Sequence, residues 1–153
     1  MKNFYITTAI PYVNAEPHIG FAMEAIQTDA IARYQRQRGL NVRFQTGTDE
    51  HGVKIQKTAE ELGKTPKEVV DVNAEKFKKL REALNLSFDD FIQTSDQARH
   101  WGGAQKLWQK LVEAGKLEKR KYKGLYCSGC EEFKNEKDLT DGKCPNHPSR
   151  ELD

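Results

Sequence analysis

The sequence predicts an α/β protein on a doubly wound sheet, with a small metal-binding appendage. Three observations predict it. Short β-type runs alternate with stretches of helical periodicity through residue 115. The first two runs each end in a polar loop that leads into a helix, and in such folds ligands sit beyond the carboxyl ends of the strands. After Gly115 the composition turns basic, and all three cysteines follow within residues 127–144.

Residues 4–8 read as the first strand. Residues 21–38 read as a helix, with Ala22, Ile26, Ala30 and Tyr34 on one stripe and Arg33, Arg36 and Arg38 on its last turns, where cations suit the dipole. Gly39 stops it. Residues 41–46 alternate, with Val42 and Phe44 on either side of Arg43, and read as a second strand. The segment Gly47-Thr48-Asp49-Glu50-His51-Gly52 then runs into a helix over 53–62, which Asp49 is placed to cap and Gly63 to end. Thr65-Pro66-Lys67-Glu68 is a capping box with proline at the first helical position. Its helix carries Val69, Val72, Phe77, Leu80 and Leu84 near one face. Residues 88–94 read as a third strand. Ser95 or Asp96 caps a final helix through Ala114, ended by Gly115. Trp101, Ala104, Leu107, Trp108 and Leu111 recur in it at helical spacing, and the two tryptophans read as core. His100 reads as structural.

The 153 residues suit one domain plus an appendage, with a boundary near Gly115. Charged residues are 31% and hydrophobic residues 37%, the balance of a polar-surfaced globular chain. A net charge of +2 gives no global argument for a nucleic-acid partner. No apolar run approaches the ~20 residues that span a bilayer, so no membrane partner is expected. The first residues are too polar and too soon broken by Pro11 for a signal peptide, and a cytoplasmic location is expected.

Residues 6–20, ITTAIPYVNAEPHIG, organise the chain. A strand, a loop and a helix start in that order direct unpaired N–H groups and the helix dipole at whatever lies above the strand end. His18 and Gly20 there suggest a nucleotide's phosphates, although a histidine at a helix start is also a common structural feature. The loops over 9–18 and 47–52 are expected to converge on one crevice.

Cys127-Ser128-Gly129-Cys130 and, after thirteen intervening residues, Cys144-Pro145-Asn146-His147 make a CxxC and a CxxH. Three thiolates and one imidazole give closed tetrahedral coordination, the preference of structural zinc, with no open position for catalysis. A tight cysteine cluster reads as metal ligands rather than a disulfide framework. The basic residues 116–123 either touch a nucleic-acid backbone or guard an edge strand against pairing.

Ala9-Ile10-Pro11-Tyr12-Val13-Asn14, Pro17-His18-Ile19-Gly20, Gly47-Thr48-Asp49-Glu50-His51-Gly52 and the Cys₃His knuckle occur in this order. Together they resemble the bacterial methionyl-tRNA synthetases, class I enzymes, over the whole chain. The resemblance implies a Rossmann-type nucleotide-binding domain, its first half in residues 1–115, with the start of an inserted zinc-knuckle connective peptide in 116–153. It implies methionine–tRNA ligase activity: ATP-dependent activation of L-methionine to methionyl-adenylate, then transfer to tRNA(Met), with ATP and Mg²⁺ as substrate and Zn²⁺ as a structural ion. It implies His18 as the catalytic residue, matching the first histidine of the HIGH motif. Pro11, His18, Gly20 and Phe21 fall to ATP, and Ala9, Ile10, Tyr12 and Asp49 to methionine, with Asp49 holding the ammonium. Cys127, Cys130, Cys144 and His147 match the zinc ligands. His51 lies near the crevice without an assigned role.

Two departures stand out. Phe21 occupies the position where the motif usually ends in histidine. The chain stops at Asp153, inside the connective peptide, before any KMSKS-type loop, so it is expected to be an N-terminal fragment that is inactive alone. The alternatives are a zinc-stabilised nucleic-acid-binding or accessory module without ligase activity, and another class I synthetase.

Overall fold

The computed structural model describes residues 2–153. The chain divides into two compact units, one ending at Gln109 and the other running Lys110–Asp153. Among the described residues no helix is long and apolar enough to cross a membrane.

The first unit is α/β. Strands β1 (Asn3–Thr7), β2 (Asn41–Thr48) and β3 (Asp90–Gln93) form a parallel sheet in that order. Helix α1 (Ile19–Gln37) connects β1 to β2, and α2 (Val53–Glu61) and α3 (Pro66–Ala83) connect β2 to β3. A π-helical turn (Gln97–Trp101) then leads into α4 (Gly102–Glu113). In register, Ile6 lies opposite Phe44, and Gly47 opposite Ile92. Strand β2 runs two residues further than its alternating pattern suggests, into the Gly47-Thr48 pair. Only glycine fits at 47, because a Cβ there would lie 2.1 Å from the Ile92 carbonyl oxygen. That close approach brings the ends of β2 and β3 together, where the second polar loop begins.

The core gathers the inward faces of these elements. Phe44 is fully buried and meets Phe88 edge-on, and Phe21 meets Phe77 edge-on with centroids 5.2 Å apart. Burying one such side chain is worth about 1.5–3 kcal/mol. The inward residues of α1 are Phe21, Ala25, Thr28, Asp29 and Ala32. This is not the Ala22-Ile26-Ala30-Tyr34 stripe; Ile26 and Tyr34 are exposed. Both stripes repeat every four residues, so period alone does not choose the inward one. Packing chooses it, through Phe21 on Phe77 and through Asp29, whose Oδ1 accepts the Ser87 N–H and hydroxyl, each at 2.6 Å. Gly39 ends α1 at φ +79°, a left-handed conformation that costs glycine little.

The capping box forms as read. Thr65 Oγ1 accepts the Glu68 N–H, and Glu68 Oε2 accepts the Thr65 N–H at 2.8 Å. In α3 Val69, Val70, Ala74 and Phe77 are buried, whereas Val72 is exposed, again a neighbouring stripe of the same helix. Asp96, not Ser95, caps the π-helical turn, accepting the Ala98 and Arg99 N–H groups. The tryptophans are not core residues. Trp101 is 36% and Trp108 63% exposed, and no residue of α4 is buried. Periodicity reveals an apolar face but does not say whether the chain supplies anything to cover it.

In the second unit β4 (Leu125–Cys127) and β5 (Glu132–Lys134) form an antiparallel hairpin, followed by a 3₁₀ turn (Glu136–Asp138). Tyr122 and Tyr126 both pack edge-on to Phe133. Residues 116–124 form no strand, so edge protection does not explain their lysines.

Candidate functional site

The loop after β1 is tied down along its length. Buried Thr8 shares a 2.6 Å hydroxyl–hydroxyl bond with Thr46 on β2, and the Ala9 N–H donates to Glu24 Oε1 on α1. Fully buried Val13 anchors the middle, its carbonyl accepting from Asn73 Nδ2 on α3 at 2.7 Å, and Glu16 pairs with Lys76. The Asp49 N–H donates to the Pro11 carbonyl at 2.9 Å, and Tyr12 and Asp49 form an isolated parallel bridge. The two motif loops therefore meet, as their places after β1 and β2 imply. The Lys54 ammonium sits over the Tyr12 ring, 5.2 Å from its centroid.

His18 is the N-cap of α1, and its Nδ1 accepts the Gly20 N–H at 3.1 Å. A neutral imidazole accepting at Nδ1 carries its proton on Nε2, so His18 presents an N–H donor beside the helix N-terminus. Gly20 makes this possible, since a Cβ there would lie 2.9 Å from His18 Cε1. A cavity of 330 Å³ is lined by Pro11, Tyr12, Asn14, His18, Phe21 and Phe77 among others. Of the candidate ATP and methionine residues it takes in Pro11, Tyr12, His18 and Phe21. Gly20 adjoins it through His18, and Asp49 through the backbone of Pro11 and Tyr12. Ala9 and Ile10 do not line it. Phe21 is 7% exposed, its ring edge-on to Phe77.

Asp49 does not cap α2. The N-cap is Gly52, at φ +126° and without a side-chain bond, three residues downstream of Asp49. Asp49 Oδ1 instead faces Thr94 Oγ1 at 3.4 Å. Glu50, 5% exposed, takes three donors: Thr48 hydroxyl and Gln93 amide on Oε1, and Ser95 hydroxyl on Oε2. The His51 ring contacts the Thr94 carbonyl through Nε2 at 3.3 Å and tilts against Trp101. Sequence reasoning missed Glu50 and Thr94. Glu50 stands inside a quoted motif, but two of its three donors lie more than forty residues away, and a lone threonine after a strand carries no signal.

The second unit assembles the cysteines and His147. Cys127 ends β4, Cys130 lies in the turn to β5, and Cys144 and His147 come from the later loop. Their ligand atoms all lie within 4.8 Å of one another. Cys130 Sγ is 3.5 Å from Cys144 Sγ and 3.3 Å from His147 Nδ1, and Cys127 Sγ is 3.8 Å from that nitrogen. Ligands about 2.0–2.3 Å from a central ion in tetrahedral array stand about 3.5–3.8 Å apart, so these four groups could hold a metal ion. Cys127 and Cys144 are fully buried. The Cys130 N–H directed at Cys127 Sγ lowers that thiol to about 7, toward the thiolate form that binds metal. Burial pushes the Cys130 thiol up. Gly129 completes the cradle, because the space of a Cβ is filled by the His147 ring, 2.6 Å away.

The family model of the class I tRNA synthetases (M) matches residues 4–152. A methionine–tRNA ligase of Caldanaerobacter subterraneus subsp. tengcongensis is 48% identical over 145 residues, which cover 95% of this chain and 23% of that protein. The methionine–tRNA ligase of Clostridium tetani is 46% identical over 145 residues, 95% of this chain and 22% of that protein. The solved Mycobacterium tuberculosis methionyl-tRNA synthetase in complex with methionyl-adenylate matches with a TM-score of 0.88 and 44% identity, over 94% of this chain and 28% of that one. The chain thus spans between 22% and 28% of the length of these relatives. With the family model running through nearly all of it, the chain belongs to the class I tRNA synthetases of the methionine type.

Proposed function

We propose that these residues form part of the active site of a methionine–tRNA ligase. The methionine carboxylate attacks the α-phosphate of ATP, which enters with Mg²⁺, giving methionyl-adenylate and pyrophosphate. The methionyl group then passes to the 3′ end of tRNA(Met). His18 donates from Nε2 to phosphate oxygens as charge develops there, beside the N-terminal amides of α1. Pro11, Gly20 and Phe21 shape the nucleotide side, Phe21 as an apolar wall without a donor. Ala9, Ile10 and Tyr12 line the methionine side, and Asp49 takes the ammonium in a charge-assisted bond.

Residues 1–115 act as the first half of the nucleotide-binding domain, and residues 116–153 as the beginning of an inserted knuckle that reaches toward the tRNA acceptor end. Zn²⁺ is the ion for Cys127, Cys130, Cys144 and His147, where it holds the hairpin and the later loop together without catalytic work. The enzyme works in the cytoplasm.

The observation that carries this reading is Asp49. Its carboxylate does no capping and lies where the two motif loops join. Asp49→Ala is expected to weaken methionine binding by about 2–5 kcal/mol, the cost of deleting one partner of a hydrogen-bonded ion pair, and to leave ATP binding nearly unchanged. Separate titrations of the two ligands, in a full-length enzyme carrying these residues, decide it. Equal losses for both would reduce Asp49 to a structural residue.

A further inference from the structure

Three consecutive residues of the second loop, Asp49, Glu50 and His51, all contact one residue after β3, Thr94. Thr94 is 7% exposed, and its N–H donates to the Thr48 carbonyl at 3.2 Å, so the sheet fixes its backbone. Its Oγ1 accepts the Glu50 N–H at 2.8 Å. A hydroxyl has one proton, and because a carboxylate only accepts, that proton is directed to Asp49 Oδ1, 3.4 Å away, while a lone pair takes the Glu50 N–H. The separation is long for an O–H···O bond, which leaves the carboxylate room to adjust to a cation. The Thr94 carbonyl accepts the Trp101 indole N–H at 3.1 Å and faces His51 Nε2. On the other side of the strand ends, Glu50 gathers Thr48, Gln93 and Ser95, which keeps β2 and β3 from parting. Thr94 engages Asp49 through Oδ1 and not Oδ2.

We infer that Thr94 is a positioning residue for amino-acid recognition: its hydroxyl holds Asp49 Oδ1 so that Oδ2 faces the substrate ammonium. The inference rests on Asp49 being the ammonium ligand. Through the same residue His51 and Trp101 are tied to the loop that binds the amino acid.

The test compares Thr94→Val, which keeps the shape and removes the hydroxyl, with Thr94→Ser, which keeps it. Both are titrated in a full-length enzyme with methionine, with ATP, and with 4-methylthiobutanoate, the methionine skeleton without the ammonium. Losing one orienting bond to a charged group is expected to raise the methionine Kd about tenfold. ATP and the deaminated acid should change by less than about twofold, and Thr94→Ser should stay within about threefold of the unsubstituted enzyme. The preference for methionine over its deaminated analogue therefore shrinks. A residue that only supports the fold would weaken all three ligands together, and that result overturns the inference. So does a silent Thr94→Val. Asp49→Ala runs beside them: if it leaves methionine binding intact, the ammonium reading itself fails, whereas loss in Asp49→Ala with a silent Thr94→Val sinks only the role of Thr94. Thr94→Ala removes the same hydroxyl and takes the place of the valine variant if that one does not fold.

Discussion

Gly129→Ala is expected to break the proposed metal site without replacing any of its four ligands. The new Cβ would lie 2.6 Å from His147 Cδ2 and Cγ and 2.8 Å from Nδ1. Gly129 does not need a left-handed conformation, so the collision is the whole effect. Ordinary contact demands that the ring retreat by about 0.8 Å or more, several times the roughly 0.2 Å that a metal–ligand distance tolerates. If the turn moves instead, it carries Cys127 and Cys130 with it. Structural zinc binding in small modules is worth about 10–16 kcal/mol over four ligands, so losing good geometry at one costs about 3 kcal/mol, or a hundredfold in affinity. Competition against a fluorescent zinc chelator on the purified chain measures this, with His147→Ala as the benchmark for a lost ligand. The cobalt-substituted spectrum, which reports tetrahedral geometry, should weaken in parallel. Gly129→Ala binding zinc within threefold of the unsubstituted chain, with an unchanged cobalt spectrum, would refute the assignment of these four ligands to one ion.

His18→Ser keeps an N-cap oxygen for α1 but removes the Nε2 donor. It should lower adenylate formation about 10²–10³-fold with little change in melting temperature. His18→Ala should match that loss and also cost about 1 kcal/mol of stability. Phe21→Ala is expected to destabilise by about 3–5 kcal/mol, read by denaturant unfolding, because it empties a buried ring site against Phe77. Phe21→His should give no large gain in adenylation rate, since the imidazole would be buried edge-on to that ring. Asp29 sets an acid sensitivity. Burial raises its carboxyl, but the Ser87 hydroxyl, Arg33 and the Ser87 N–H outweigh this and hold it below the ordinary value. With the folded value depressed, the stabilisation is present above the unfolded value, about 3.9, and is lost as pH falls through the folded one. Asp29→Asn should therefore lower stability at pH 7 and flatten its fall below about pH 4, measured by urea unfolding across pH.

Much of the molecule is legible in the sequence where the determinant is local. The Thr65-Pro66-Glu68 box and the left-handed stop at Gly39 need only neighbours within a few residues, and each appears as read; the CxxC and CxxH pairs come together as a group that could hold a metal ion. What depends on distant partners was misplaced. The inward stripe of α1 is chosen by Phe77 and Ser87, nearly sixty residues from the α1 residues they meet, not by its own period. Trp101 and Trp108 have helical spacing, yet neither is a core residue, and Trp108 is 63% exposed. At the candidate site the motifs point to two loops that do meet, and parallel pairing of β1 with β2 is enough to join them. They do not reveal that Asp49 leaves α2 uncapped or that Thr94 reaches all three residues that follow Thr48, because that depends on how closely Gly47 lets β3 approach.

Amino-acid-dependent exchange of pyrophosphate into ATP tests the proposed activity most directly. A full-length enzyme carrying residues 1–153 is assayed with each of the twenty amino acids in turn. Methionine alone should drive exchange, with Asp49→Ala raising its KM and His18→Ser lowering its rate. Exchange driven by a different amino acid, or none at saturating methionine, would contradict the assignment.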